Sequence, residues 1–417
     1  MNIYFSGVGG VGIGPLAEIA HDAGYQIQGS DQHASLMTHE LEKRGVPISL
    51  TQDGAFLEER HIANPIDWLV HTAALPDDHP ELMRARQLGI RTAKRDELLA
   101  YIIADKNLKL IAVAGTHGKT TTTGMLVWAL QQLKVPISYS VGSTLSFGPS
   151  GKFDPESRYF IYECDEFDRN FLHFTPHLSL ITSIDYDHPD TYPTVADYTA
   201  AFRQFIEASE QAIVWQHDAS YIECQPANAW CLQADEVATL TLPGEHNRRN
   251  ATLVLKALER LELGDSLSNH RALEAFPGTN RRFEKLADNL YSDYGHHPVE
   301  IAATLQMARE VSDQVVLVYQ PHQNVRQHEI REQYVDGVFR GADEVYWLPT
   351  YLSREDPNLE TLTPEQLTAQ LHTTTFHFED LSKTLWRDIE KARQDGKLVL
   401  CMGAGSIDGW LRQQLAS

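Results

Sequence analysis

Ala114-Gly115-Thr116-His117-Gly118-Lys119-Thr120-Thr121-Thr122 follows an apolar run at 108–114 and precedes a segment of helical pattern. Strand, Gly-x-x-Gly-Lys-Thr, helix is the arrangement of a phosphate-binding loop. Backbone N–H groups wrap the phosphates, Lys119 reaches the β and γ phosphates, and the Thr120 hydroxyl can ligate Mg²⁺. The strict pattern has a further glycine where Val113 stands, so the loop is a variant. The competing reading is an ordinary helix start. Gly115, Thr116, His117, Gly118 and Thr121, with Lys119 and Thr120, form the candidate ATP site, and Lys119 is its catalytic cation.

A second glycine run, Gly7-Val8-Gly9-Gly10-Val11-Gly12, follows the opening strand at 3–8. It satisfies G-x-G-x-x-G through Gly7, Gly9 and Gly12, and Ser30-Asp31 lies about twenty residues on, where a ribose-binding acid is expected. Taken alone it suggests a dinucleotide enzyme or a mere packing turn. A dehydrogenase does not need the Lys119 loop, so the reading that satisfies both is a diphosphate site for a different nucleotide.

Carboxylates cluster in Glu163-Cys164-Asp165-Glu166-Phe167-Asp168 and again in Asp185-Tyr186-Asp187-His188-Pro189-Asp190. Near a triphosphate loop this favours magnesium, which takes one or two carboxylates plus phosphate oxygens and water. Without that loop a solvated acidic turn would be the better reading, and a lone His188 would be structural. Three weaker constellations follow: 243–250 with Asn247 and Asn250 three apart on one helix face, Asn280-Arg281-Arg282-Phe283, and Ser292-Asp293-Tyr294-Gly295-His296-His297-Pro298. Paired amides can read a base edge, and adjacent arginines suit phosphate.

The 417 residues exceed one ordinary core, and 42% apolar with 22% charged residues describes a globular chain. Short β-branched runs alternate with amphipathic segments, giving an α/β protein read as three blocks, 1–106, 107–271 and 272–417. A net charge of −22 argues against nucleic acid or an anionic membrane as partner. No apolar stretch reaches the roughly 20 residues of a membrane span. Four scattered cysteines, Cys164, Cys224, Cys231 and Cys401, exclude a zinc ribbon or disulfide framework, and the opening run carries no signal-peptide pattern. The expected compartment is the cytoplasm, and the expected state a monomer or weak homodimer.

Taken in order, these motifs resemble the Mur ligases of peptidoglycan synthesis over nearly the whole chain. The resemblance rests on Gly7 to Gly14, Gly29-Ser30-Asp31, the Lys119 loop, Asp187-His188 with Asp190-Thr191-Tyr192, Arg281-Arg282-Phe283, Asp293 to Pro298, Gln320-Pro321-His322 and Gly403-Ala404-Gly405. It implies a Rossmann-like N-terminal domain, a P-loop ATPase central domain and a Rossmann-like C-terminal domain that closes over the site. It also implies an ATP- and Mg²⁺-dependent ligase of UDP-N-acetylmuramate and an amino acid or short peptide, with L-alanine favoured.

By position, the family would place the UDP sugar at Gly7, Gly9, Gly10, Gly12, Ser30 and Asp31. Magnesium would fall to Thr120, Glu163 and His188, the last two also counted as catalytic. ATP would further meet Asn247, Asn250 and Arg282, and the amino acid Tyr294, His297, His322 and Arg326. The sequence departs from the alanine-adding members in three ways. Gln323 replaces a carboxylate-binding arginine, Glu166-Phe167-Asp168 and Asn324 resemble the tripeptide-recycling members, and the stretch 217–241 is short. Arg203 stands where several relatives carry a carbamylated lysine, which is consistent with the alanine-type branch. Besides alanine addition, the readings left open are tripeptide recycling onto the same UDP sugar and a non-catalytic nucleotide-binding homologue.

Overall fold

The computed structural model describes residues 1–10, 12–72, 75–223, 227–353, 355–372 and 374–416; Val11 of the first glycine run and Cys224 lie outside them. Three sheets carry the architecture. The first holds β1 (Asn2–Ser6), β2 (Gln26–Ser30), β3 (Ile48–Ser49), β4 (Trp68–His71) and β5 (Arg91–Lys94), all parallel, in the order 3-2-1-4-5. Every residue of β1 is buried, as expected of a strand covered on both faces. Strand order reverses between β1 and β4, the place where such sheets bind ligands, and the first glycine run leaves β1 there. Gly29 on β2 is obligatory, since a Cβ would lie 2.5 Å from the Phe5 carbonyl oxygen of β1.

The second sheet holds β6 (Lys109–Ala114), β7 (Ile137–Ser140), β8 (Gly151–Lys152), β9 (Tyr159–Glu163), β10 (Leu178–Ile181), β11 (Ala212–Trp215) and β12 (Ala229–Leu232). Its order is 12-11-10-6-9-7-8, with only β8 antiparallel to its neighbour. β6 is therefore central, and both the Lys119 loop after it and the acidic run after β9 leave the same sheet edge. The helix Val195–Ala208 begins at a reciprocal cap: the Thr194 hydroxyl accepts from the Asp197 N–H and the Asp197 carboxylate accepts from the Thr194 N–H, each at 3.2 Å.

The third sheet holds β13 (Glu284–Ala287), β14 (Leu290–Asp293), β15 (Val315–Tyr319), β16 (Glu344–Trp347), β17 (Thr375–Phe378) and β18 (Leu398–Met402), in the order 13-14-18-15-16-17 with β13 antiparallel. One face packs on Ile301, Leu305, Phe339 and Trp347, the other on Leu385, Ile389, Ile407 and Leu411.

Two compact units result. One comprises Met1–Glu236 and Leu253–Phe276; the other comprises Val237–Thr252 and Pro277–Ser417. In the first unit the two sheets share a core that runs from Ile3, Phe5 and Ile102 to Phe160, Tyr162 and Phe202. The segment 237–252, which the sequence reading put in the central block, packs with the third sheet.

Candidate active site

The central loop folds tightly because two glycines permit it. Gly115 has φ +134°, and a Cβ on it would lie 2.3 Å from the Thr182 hydroxyl; Gly118 has φ +84°. Lys119 then opens the helix Lys119–Gln132, and its Nζ donates to the carbonyls of Gly115 at 2.6 Å and Thr116 at 3.3 Å and to Glu166 Oε2 at 2.7 Å. Burial pulls the Lys119 ammonium down, but Glu166, Asp165 and Glu163 outweigh it and hold it above the usual lysine value. Burial pushes Glu166 up, and Lys119 reverses that, leaving it below the ordinary carboxylate value. Thr116 exchanges hydrogen bonds with the Asp185 backbone at 2.8 Å and meets the Tyr198 hydroxyl at 2.7 Å, while the His117 N–H donates to Ser183 Oγ at 3.0 Å. Thr121 follows on the helix, half-buried.

Two acidic groups face this loop. Glu163, at the end of β9, accepts from the Thr120 hydroxyl at 2.7 Å and from the Gly142 N–H at 2.8 Å. Asp165, Glu166 and His188 bring one ligand atom each within 4.8 Å of one another. His188 sits at φ +57°, with Nε2 3.7 Å from Glu166 Oε1 and 3.8 Å from Asp187 Oδ2. Burial lowers the His188 imidazole and its acidic neighbours more than restore it, so it holds its proton above the usual histidine value. Asp165 moves up, through burial first and Glu166 second. Glu166 Oε1 is buried and makes no hydrogen bond. A buried carboxylate oxygen that makes no hydrogen bond and has only the His188 ring 3.7 Å away, beside further carboxylate oxygens, suits a divalent cation. Thr120 and Glu163 form one pair and His188 belongs to the other, so the three expected magnesium residues fall into two adjacent groups. Arg203, in place of the relatives' modified lysine, donates to the Ile222 carbonyl at 2.8 Å.

The first loop is built differently. The N–H groups of Gly7 and Val8 donate to the Ser30 carbonyl at 2.9 and 3.0 Å, and the Gly9 N–H donates to Asp31 Oδ2 at 2.8 Å. A Cβ on Gly9 would come within 2.7 Å of Ser35 Oγ, whereas Gly10 is exposed. The helix Gly14–Asp22 starts just beyond Gly12 with no side-chain cap; its Gly14 N–H donates back to the Gly10 carbonyl at 2.8 Å, and Pro15 brings no donor. Ser30 gives its hydroxyl to Glu81 Oε2 at 2.8 Å, so its side chain braces the loop from below. Tyr4 donates to Glu81 Oε1 at 2.6 Å, and Ser6 also donates to this fully buried carboxylate. Nothing local in the sequence marks Glu81.

In the second unit, Asn250 is buried and Asn247 Nδ2 donates to the Pro243 carbonyl at 3.1 Å, both on the helix Glu245–Arg260. The Arg282 guanidinium lies 5.1 Å from the Tyr294 ring centroid. His297 is the N-cap of the helix Pro298–Val311, its Nδ1 accepting from Val299 N–H at 3.4 Å, which gives it a structural task. His296, its neighbour, stands between expected residues instead. Its Nε2 lies 3.1 Å from Arg326 Nη1, and its ring is 5.7 Å from that of His322, which stacks on Tyr351. Among the described residues no helix is long and apolar enough to cross a membrane.

Comparison with known proteins covers the same ground. Residues 2–107 match the Mur ligase family catalytic domain, 113–231 the Mur ligase middle domain and 281–405 the Mur ligase glutamate ligase domain. A UDP-N-acetylmuramate–L-alanine ligase of a Nocardioides species is 32% identical, over 97% of this chain and 93% of the relative. A protein of the same name from Rhodopseudomonas palustris is 31% identical over 98% and 95%. Among solved structures, the UDP-N-acetylmuramate–alanine ligase MurC of Thermotoga maritima superposes with TM-score 0.75 at 24% identity, covering 100% of this chain and 98% of that one. A murein peptide ligase of Psychrobacter arcticus superposes with TM-score 0.63 at 22% identity, over 100% and 98%.

Proposed function

Since the chain belongs to the Mur ligase family and has its three-domain fold, we propose that it joins L-alanine to the lactyl carboxylate of UDP-N-acetylmuramate at the expense of ATP. It would act in the cytoplasm, in peptidoglycan synthesis, with sequence blocks at 1–106, 107–271 and 272–417, of which the segment 237–252 packs with the last. The observation that carries the chemistry is the Lys119 loop, with its ammonium 2.7 Å from Glu166 and Thr120 2.7 Å from Glu163. The two full-length relatives carry the choice of alanine.

A lactyl carboxylate oxygen attacks the γ-phosphorus of ATP, the bond from that phosphorus to the ADP oxygen breaks, and an acyl phosphate forms. The free amine of alanine then attacks the acyl carbon, phosphate leaves with the former carboxylate oxygen, and the nitrogen gives up a proton as the amide forms. An anion attacking a polyanion faces a mainly electrostatic barrier. Lys119 lowers it by donating to the transferring phosphoryl oxygens, and the loop from Gly115 to Thr121 orients the chain of phosphates through the N–H groups at its helix start, since those of Thr116 and His117 are held by Ser183. Thr120, Glu163 and His188 would hold the magnesium, with Asp165 and Glu166 beside them; that ion neutralises phosphate charge. Gly7, Gly9, Gly10, Gly12 and Asp31 take the UDP diphosphate and ribose, with Ser30 bracing them. Asn247, Asn250 and Arg282 serve the adenine nucleotide, and Tyr294, His297, His322 and Arg326 the amino acid.

The deciding experiment is phosphate release with ATP, Mg²⁺ and UDP-N-acetylmuramate against L-alanine, other amino acids and the murein tripeptide. Turnover is expected with L-alanine. Turnover confined to the tripeptide would make this a recycling ligase, and no amide product with any acceptor would leave a binding protein.

A further inference from the structure

The first cradle must receive two phosphates in a chain of net charge −22, and between Gly7 and Gly12 it contains no cation. One stands beside it. Arg95 opens the helix Arg95–Asp105 directly after β5, and a Cβ built on Gly12 would lie 3.4 Å from Arg95 Nη1 and 3.9 Å from its Cδ. The guanidinium therefore lies against the last glycine of the loop, next to the uncapped start of the helix Gly14–Asp22.

Its other edge is fixed. Arg95 Nη2 is 3.3 Å from Oδ1 of Asp96, a residue only 3% exposed, and the Tyr162 hydroxyl donates to the same Oδ1. Tyr162 belongs to β9 and immediately precedes Glu163, the partner of Thr120. A rigid arm thus runs from the energy-donor loop through Tyr162 and Asp96 to the sugar-nucleotide loop. Yet the arginine is not used up: Nε is buried without a hydrogen bond, while the side chain as a whole remains 33% exposed. With Nη2 braced on Asp96 and Nε buried, Nη1 beside Gly12 is the donor left facing the loop, placed for a charge-assisted bond to an oxyanion.

We propose that Arg95 is the cationic residue that receives the diphosphate of the sugar nucleotide, with Asp96 and Tyr162 as its positioning residues. This rests on reading Gly7 to Gly12 as the sugar-nucleotide cradle. A purely structural Arg95, there only to neutralise Asp96, would affect folding and leave nucleotide affinity alone.

Titration calorimetry on the full chain separates the cases, with UDP, UDP-N-acetylmuramate and ADP as ligands and the wild type beside Arg95→Ala, Arg95→Lys and Tyr162→Phe. Arg95→Ala is expected to weaken both uridine ligands by roughly ten- to a hundredfold, as for a lost charge-assisted hydrogen-bonded contact. Arg95→Lys should lose less, Tyr162→Phe a few-fold, and ADP affinity should stay put in all three, which also certifies folding. If Arg95→Ala does not fold, the lysine and phenylalanine variants carry the test. Wild-type UDP affinity in every folded variant overturns the proposal. A loss confined to UDP-N-acetylmuramate also overturns it, because the cation would then face the sugar acid and not the diphosphate. Wild type that binds neither uridine ligand sinks the cradle reading, and the proposal with it.

Discussion

The central loop and the cluster around Tyr294 solve opposite electrostatic problems. At the loop every buried charge has an opposite charge against it: Lys119 on Glu166 at 2.7 Å, with Asp165 and His188 adjoining. In the second unit two half-buried imidazoles, His246 and His296, are neutral at neutral pH. Burial pushes His296 down to about 4, and Arg326 and His322 reinforce that against Glu300. Burial likewise lowers His246 to about 4. A neutral His296 can accept the Arg326 N–H at 3.1 Å while its Nδ1–H points to the Tyr294 carbonyl at 3.3 Å; a protonated one could not. At the Lys119 loop the chain stores a cation on an acidic partner. Around Tyr294 it fixes geometry with lone pairs.

The largest effect should come from removing the stored cation. Lys119→Ala is expected to cost a thousandfold or more in turnover, about 4 kcal/mol of transition-state stabilisation. ADP release dependent on UDP-N-acetylmuramate measures it, and full turnover in the variant would end the assignment of Lys119 to the phosphates. Glu166→Gln sharpens the same point. Breaking a buried pair leaves Lys119 uncompensated at a cost of about 3 kcal/mol in stability. ADP supplies a replacement anion, so it should raise the variant's melting temperature more than the wild type's. An equal rise in both would show that Lys119 does not pass from Glu166 to phosphate.

Acid should divide the two regions next. His296 and His246 have folded values of about 4 against an ordinary 6.5, so the unfolded chain binds their protons first as pH falls. Both oppose folding of the second unit progressively from pH 6.5 downward. Asp293, pushed up to about 6 chiefly by burial, has the opposite sign, because the folded state protonates it first. Two protons taken by the unfolded chain outweigh one taken by the folded chain, and between pH 7 and pH 5 the net loss is about 2 kcal/mol. Limited proteolysis along a thermal ramp should cut 277–416 at a lower temperature at pH 5 than at pH 7. The central loop region should shift less, since Glu166 is held below and Lys119 above this window, and the raised His188 and Asp165 favour the folded state as the pH falls. Equal shifts in both regions would contradict the neutral-imidazole picture.

What could be read in the chain beforehand follows the range of the interactions. The two glycine loops are local grammar, a strand, a turn that needs positive φ and a helix, and both stand where their motifs put them. The partners that give them their character lie far off in sequence. Lys119 finds Glu166 47 residues on, and Glu81 braces Ser6 and Ser30 from 75 and 51 residues away. His296 and His297 look alike in a string, while the helix start at Pro298 makes His297 a cap and sets His296 beside Arg326. The association of 237–252 with the third sheet was equally hidden, since the helix Glu245–Arg260 shows no break in its pattern.

The smallest effect tests the acceptor end directly. Gln323, at φ +61°, precedes the helix Asn324–Ile330, and its N–H donates to the Tyr351 carbonyl at 2.8 Å, beside the ring on which His322 stacks. The alanine-adding ligases that this sequence resembles carry an arginine here, three positions before the one matched by Arg326. If position 323 faces the carboxylate of a single amino acid, Gln323→Arg adds one partly exposed ionic contact, worth about 1 kcal/mol, and lowers the KM for L-alanine roughly fivefold with kcat unchanged. A tripeptide carries its α-carboxylate several bonds farther from the reacting amine, so its KM should not respond. A fall in the tripeptide KM alone would mean that this pocket was built around the longer acceptor, and that glutamine at 323 records the loss of alanine binding.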